Sequence, residues 1–241
     1  MLRSARSLRD YHVQATDGNI GRVKDFLFDS QEWVARYIVV DTSEWRPGRT
    51  VLLTPDVVGS PSVEGRVLPV SLTSEQVHNS PEIDTDKPVS RPQEAALFEH
   101  YGWPPYWSGG HRMLREPAAE TDEEVDLATG AAAHLRSMRQ VDGYAIRALD
   151  GAGGRVEDFI IEDENWTIRD LVVDTRNWLH GKHVLIAPEW VAGIEAQDKT
   201  VALELSQEEV KESPPYDPNQ PVNRQYEVHL YDYYGRAKYW D

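Results

Sequence analysis

His180-Gly181-Lys182-His183 sets two imidazoles three residues apart, and imidazole is a common ligand of zinc and other first-row metals. No third ligand stands close by in sequence, so a surface turn carrying two histidines is the expectation. Asp29, Glu32, Asp163 and Glu164 lie in the turns before Trp33 and Trp166 and offer the carboxylates that hold Ca²⁺. Their spacing is not that of an EF-hand loop, and acids are ordinary at hairpin tips. Asp150-Gly151-Ala152-Gly153-Gly154 is glycine-rich in the manner of a phosphate cradle. Arg22, Asp25, Arg36 and Asp41, with Arg155, Asp158, Arg169 and Asp174, could line a polar pocket or interface. Cross-strand ion pairs and turn hydrogen bonds are the plainer reading of those eight. Trp45 and Trp178, and the tail pairs Tyr106-Trp107 and Tyr239-Trp240, are the candidate interaction residues. Large rings in turns and tails either anchor a protein partner or cover their own module's core. Cysteine is absent, which excludes disulfides, thiolate nucleophiles and cysteine-ligated metals.

Many of these residues come in pairs because the chain repeats. Shifted by 133 positions, residues 1–107 lie on residues 134–240 without a gap, with about 40 identities. DGNIGRVKDF (17–26) lies on DGAGGRVEDF (150–159), and RYIVVDTSEWRPGRTVLLTP (36–55) on RDLVVDTRNWLHGKHVLIAP (169–188). A site common to both copies must appear at both matched positions. His180 and His183 match Pro47 and Thr50, and no Ser/His/Asp set recurs, so the repeat lends no support to a shared metal site or to nucleophilic catalysis. The glycine-rich run 150–154 matches Asp17-Gly18-Asn19-Ile20-Gly21 and is read as a hairpin turn rather than a nucleotide cradle. Segment 108–133 has no counterpart. It is small, polar and acidic and predicts a flexible linker between modules 1–107 and 134–241.

Each module reads as a set of short strands followed by helices. Asp17-Gly18 and Asp150-Gly151 signal hairpins between apolar stretches. Gly21 and Gly154 stand where a bulge or a close backbone approach is expected. The β-branched runs 34–42 and 167–175 predict buried strands, 50–53 and 183–187 a further strand, and 66–72 and 200–205 the last. Thr73 with Gln76, and Ser206 with Glu209, form capping boxes at short helices. Aromatic-rich helices over 93–101 and 225–234 stop at Gly102 and Gly235. The repeated rings of both tails predict that the tails are ordered, with the other module as the preferred surface to cover. Five or so strands at this spacing argue a small closed barrel.

The pattern DG-x-x-GRV-x-DF, a VVDT strand, then W-x-x-G-x-x-VL with a following Pro resembles the PRC-barrel family. That family takes its name from the cytoplasmic domain of the photosynthetic reaction centre H subunit. The PVNR and YYG-x-x-x-YW tails are similar to those of stand-alone bacterial PRC-barrel proteins. The resemblance implies two small β-barrels, each followed by short helices and related by pseudo-two-fold symmetry. It also implies a binding or assembly role rather than catalysis. Neither the H subunit's membrane helix nor the extra N-terminal domain of the related ribosome-maturation factor is matched, so neither role transfers intact.

The net charge of −16 repels nucleic acid and anionic lipid at long range. No run of about 18 apolar residues offers a membrane span, and the N-terminal residues do not resemble a secretory signal. The expectation is a cytoplasmic, non-enzymatic scaffold, an intramolecular pseudo-dimer that binds a protein partner and takes no cofactor or metal. Two alternatives stand beside it. One is a small-molecule or metal-dependent sensor or enzyme at the cleft between modules. The other is an accessory to photosynthetic electron transport, by analogy with the H subunit.

Overall fold

The computed structural model describes residues 1–43, 49–83, 89–108, 125–126, 131–132, 135–176 and 181–241. The first copy forms β1 (Leu2–Ser4), α1 (Ala5–Leu8), β2 (His12–Gln14), β3 (Asn19–Asp29), β4 (Val34–Asp41), β5 (Thr50–Leu53), β6 (Val67–Pro69), α2 (Ser74–His78) and α3 (Arg91–Tyr101). Two short strands, β7 (Val125–Asp126) and β8 (Ala131–Ala132), pair with each other in the connecting segment, most of which lies outside the described residues. The second copy forms β9 (Leu135–Ser137), α4 (Met138–Val141), β10 (Ala145–Ala148), β11 (Gly151–Glu162), β12 (Ile168–Asp174), β13 (His183–Ile186), β14 (Val191–Glu195), β15 (Thr200–Leu203), α5 (Gln207–Glu212) and α6 (Arg224–Tyr234).

The protein is mainly β, with two large sheets, and strand pairing closes neither into a barrel. One sheet runs β5-β4-β3-β2-β6 and the other β13-β12-β11-β10-β15-β14, so matched strands hold matched places. The hairpin strands are antiparallel. β6 returns parallel to β2 and β15 parallel to β10, with His12 opposite Val67 and Ala145 opposite Thr200. The VVDT strands are interior ones, and Ile38, Val39, Val40, Leu171, Val172 and Val173 are all buried.

Gly21 and Gly154 have φ of +139° and +109°. A Cβ there would stand 2.1 Å from the Asp41 carbonyl oxygen and 2.4 Å from that of Asp174. The close approach read from the sequence is therefore present in both copies. Both capping boxes form, at Thr73/Gln76 and Ser206/Glu209. The helix expected from residue 93 starts at Arg91 instead, because the Gln93 side chain turns back to accept from the Ser90 amide (2.8 Å) and Pro92 suits the first turn. Gly102 and Gly235, at φ 68° and 60°, end α3 and α6 as expected.

Two compact units result, interleaved along the chain. Unit 2 comprises residues 10–27 and 37–135. Its core joins Leu27, Tyr37, Val39 and Leu52 of the sheet to Ile83, Val89, Leu97 and Phe98 of the helical tail, with Leu135 packed against it. Unit 1 comprises residues 1–9, 28–36 and 136–241. Within it β1 pairs antiparallel with β11, Leu2 facing Glu162 and Ser4 facing Ile160. The N-terminal strand of the first copy thus extends the sheet of the second.

Candidate functional site

The β3–β4 hairpin tip of the first copy also belongs to unit 1, where it meets the matching β11–β12 tip. Val34 bridges Thr167, the Ala35 amide donates to the Trp166 carbonyl (2.9 Å) and the Ile168 amide to the Trp33 carbonyl (2.7 Å). Val34 and Thr167 are matched positions, and the two hydrogen bonds are one contact made in each direction, since Ala35 matches Ile168 and Trp33 matches Trp166. Trp33 and Trp166 both adopt positive φ, 54° and 59°, which turns the chain so that these edges can pair. Phe28 packs on Phe159 with ring centroids 5.4 Å apart.

The acidic residues at these tips serve the tips. The Asp29 carboxylate accepts from the Gln31 (2.9 Å) and Glu32 (3.0 Å) amides and pairs with Arg36, while Glu162 takes Arg169 through Nε at 2.9 Å. Asp163 binds the N-terminal amine and Arg3. Burial works to raise the Asp163 pKa, but those two cations outweigh it and hold it below the usual carboxylate range. The other repeated polar residues are likewise engaged in turns and caps. Asp41 and Asp174 accept from the amides two residues on, at 2.9 and 2.8 Å. Asp25 and Asp158 each accept from the next amide at 2.8 Å, and Asp158 also takes Ser4 Oγ and the Arg6 amide. Arg22 and Arg155 are exposed.

The tail aromatics are organised the same way in both copies. Glu94 on α3 is fully buried, with Arg91 Nη1 at 3.0 Å and hydrogen bonds from Tyr106 (2.8 Å) and Tyr37 (2.7 Å). Glu227 on α6 is buried, with Arg224 Nη1 at 3.3 Å and the Tyr239 hydroxyl donating at 2.7 Å. Arg91 lies 4.2 Å above Trp107 and Arg224 lies 4.1 Å above Trp240. Trp107 packs on Phe98 and Trp240 on the matched Tyr231, with centroids 5.1 and 5.3 Å apart. Each tail therefore covers the sheet and helix of its own copy, which corrects the expectation that it would cover the other module. The i, i+3 spacing of Arg and Glu on the tail helix lets one guanidinium meet both the buried carboxylate and the tail ring. Tyr106, Trp107, Tyr239 and Trp240 are half-buried by this clasp. Trp45 and Trp178 lie outside the described residues.

The copies diverge at one buried position, where Tyr37 is matched by Asp170. Burial, with Glu94 beside it, pushes the Tyr37 phenol far up, so it stays a donor to Glu94. Asp170 is 2% exposed, and its Oδ1 has no hydrogen-bond partner. Burial raises its pKa well above the usual range, Glu227 adds to the shift and Arg169 opposes it.

His180 lies outside the described residues, but His183 does not stand alone. Glu157, Asp174 and His183, on β11, β12 and β13, bring ligand atoms within 4.8 Å of one another. The sequence named Asp174 only as a pocket candidate and did not single out Glu157, and it joined neither to His183, because they lie on other strands, 9 and 26 residues upstream. The VVDT strand and its hairpin pairing carried the available signal, since they set Asp174 opposite His183.

No protein-family model matches the chain, and a search of curated proteins finds no match.

Proposed function

We propose that the chain is a non-enzymatic binding or scaffold protein made of two PRC-type modules, joined as an intramolecular pseudo-dimer that holds a protein partner in the cytoplasm. One observation carries this reading: Val34 meets its matched residue Thr167, and the Ala35–Trp166 contact is repeated with the copies exchanged as Ile168–Trp33. Reciprocity of this kind is the mark of an isologous interface, which duplication and fusion would preserve within one chain. The repeated arginines and acids described above, Arg22 and Arg155 apart, support the same reading, because they work in tips, turns and clasps. What the two copies share is a means of association. Among the described residues no helix is long and apolar enough to cross a membrane. The charge of −16 favours a partner that is neither nucleic acid nor anionic lipid.

The test uses the full-length chain, immobilised and challenged with extract of its source cells under quantitative mass spectrometry. Retention of one protein in near-stoichiometric amount, rebinding when that protein is purified, is the expected result. Turnover of a small molecule with no stoichiometric protein partner would contradict the proposal.

A further inference from the structure

We propose that Glu157, Asp174 and His183 form a site for one divalent first-row transition metal ion, with Zn²⁺ the best fit, in the second copy only. The three side chains come from three neighbouring strands of one sheet. Asp174 and His183 are direct cross-strand partners on β12 and β13. Glu157 sits on β11 where the register slips between Val156 and Asp158. A bulge at that point re-aims its side chain toward the other two. His183 Nε2 and Glu157 Oε2 approach to 2.6 Å, both shielded from solvent, yet neither makes a hydrogen bond. With the imidazole neutral, two electron-pair donors converge there, an arrangement that a cation completes. Zinc takes imidazole nitrogen and carboxylate oxygen at about 2.0–2.2 Å.

The donor set selects the metal class. An imidazole disfavours Ca²⁺ and Mg²⁺, which seek oxygen, while nitrogen with two carboxylates suits zinc and its neighbours. Two carboxylates also neutralise the ion's two charges. The surroundings support the ligands: Arg6 Nη1 holds Glu157 Oε1 at 3.0 Å, leaving Oε2 free to bind. The Tyr216 amide donates to the His183 carbonyl at 2.8 Å and fixes the strand that carries the imidazole. Arg176 holds both Asp174 oxygens, at 2.9 and 2.8 Å, from a side chain that is 60% exposed. It can swing into solvent when a doubly charged ion takes its place. Three protein ligands leave a fourth position for water or for a donor from a bound partner.

The repeat supplies an internal control. The matched residues of the first copy are Lys24, Asp41 and Thr50. An ammonium and a hydroxyl there replace two of the three ligands, so the first copy offers no such site.

The full-length chain, stripped with chelator, is titrated with ZnCl₂ alone and followed by native mass spectrometry and calorimetry. One Zn²⁺ per chain is expected. His183→Thr installs the first copy's residue at the same strand register, and Glu157→Gln keeps the side chain's shape. Each should weaken binding at least about tenfold, while His229→Ala, at an exposed position on α6, leaves it unchanged. Thermal unfolding without metal verifies that each variant is folded, and Zn²⁺ should raise the melting temperature of the parent but not of these two. Failure to bind Zn²⁺ at micromolar free metal, or equal binding by the parent, His183→Thr and Glu157→Gln, would overturn the proposal.

Discussion

Removing one hydroxyl from each tail clasp should have unequal consequences. In Tyr239→Phe the ring stays under Arg224, but Glu227 Oε1 loses the Tyr239 donor at 2.7 Å. Asp170 stands where the first copy has a second phenol, and the remaining cation, Arg224, reaches the other oxygen at 3.3 Å from a side chain that is 52% exposed. Stranding a buried charged acceptor costs about 1.5–3 kcal/mol. In Tyr106→Phe, Glu94 Oε1 keeps the Tyr37 hydroxyl at 2.7 Å, so the loss is that of an ordinary hydrogen bond, about 0.5–1.5 kcal/mol. At roughly 4 °C per kcal/mol for units of this size, Tyr239→Phe lowers the melting transition by about 6–12 °C and Tyr106→Phe by about 2–6 °C. Adding Tyr37→Phe to Tyr106→Phe strips the Glu94 oxygen and should bring the first copy's loss up to that of the second. Differential scanning calorimetry reads all three. A Tyr106→Phe effect equal to or larger than that of Tyr239→Phe would refute the clasp as described.

Asp170 ionises above its unfolded value of 3.8, so its contribution to stability is full below that value and is lost as pH rises through the raised folded one. Asp170→Asn should flatten the fall in urea-unfolding free energy as pH rises above about 4, and an unchanged slope would contradict a raised pKa for this buried carboxyl. Residues 134–241 alone lack β1 and the 28–36 tip, both part of unit 1, so mixing them with residues 1–107 should restore near-ultraviolet circular dichroism that neither shows alone. Two fully folded fragments that ignore each other would contradict this. Gly21→Ala and Gly154→Ala push a methyl into a carbonyl and should each cost more than about 2 kcal/mol by chemical denaturation. Gly235→Ala meets open space and should cost only the left-handed strain, about 1–2 kcal/mol.

The local features were legible in the sequence because they follow from neighbours along the chain. Gly21 and Gly154 announced a close approach, Thr73 and Ser206 announced caps, and the VVDT runs announced interior strands. The features that were hidden depend on contacts between separate elements rather than on neighbours along the chain. Nothing in LRS at residues 2–4 distinguishes a strand that pairs β3 from one that pairs β11, because backbone pairing carries no residue code at a single edge. The buried Glu94 and Glu227 read as surface helix residues, since their partners, Tyr106 and Tyr239, lie beyond a glycine stop. Glu157 passed unnoticed for a related reason: it matches Lys24, so a search for sites common to both copies discards a site that only one copy holds.

Hydrogen exchange at the Ala35 and Ile168 amides of the intact chain, followed residue by residue by NMR, tests the pairing of the copies most directly. These two amides donate to Trp166 and Trp33 across the matched tips, at 2.9 and 2.7 Å. The account predicts protection comparable to that of Val39 and Val172 in the interior strands. Exchange of both amides at the rate of an unstructured peptide, with Val39 and Val172 still protected, would contradict it.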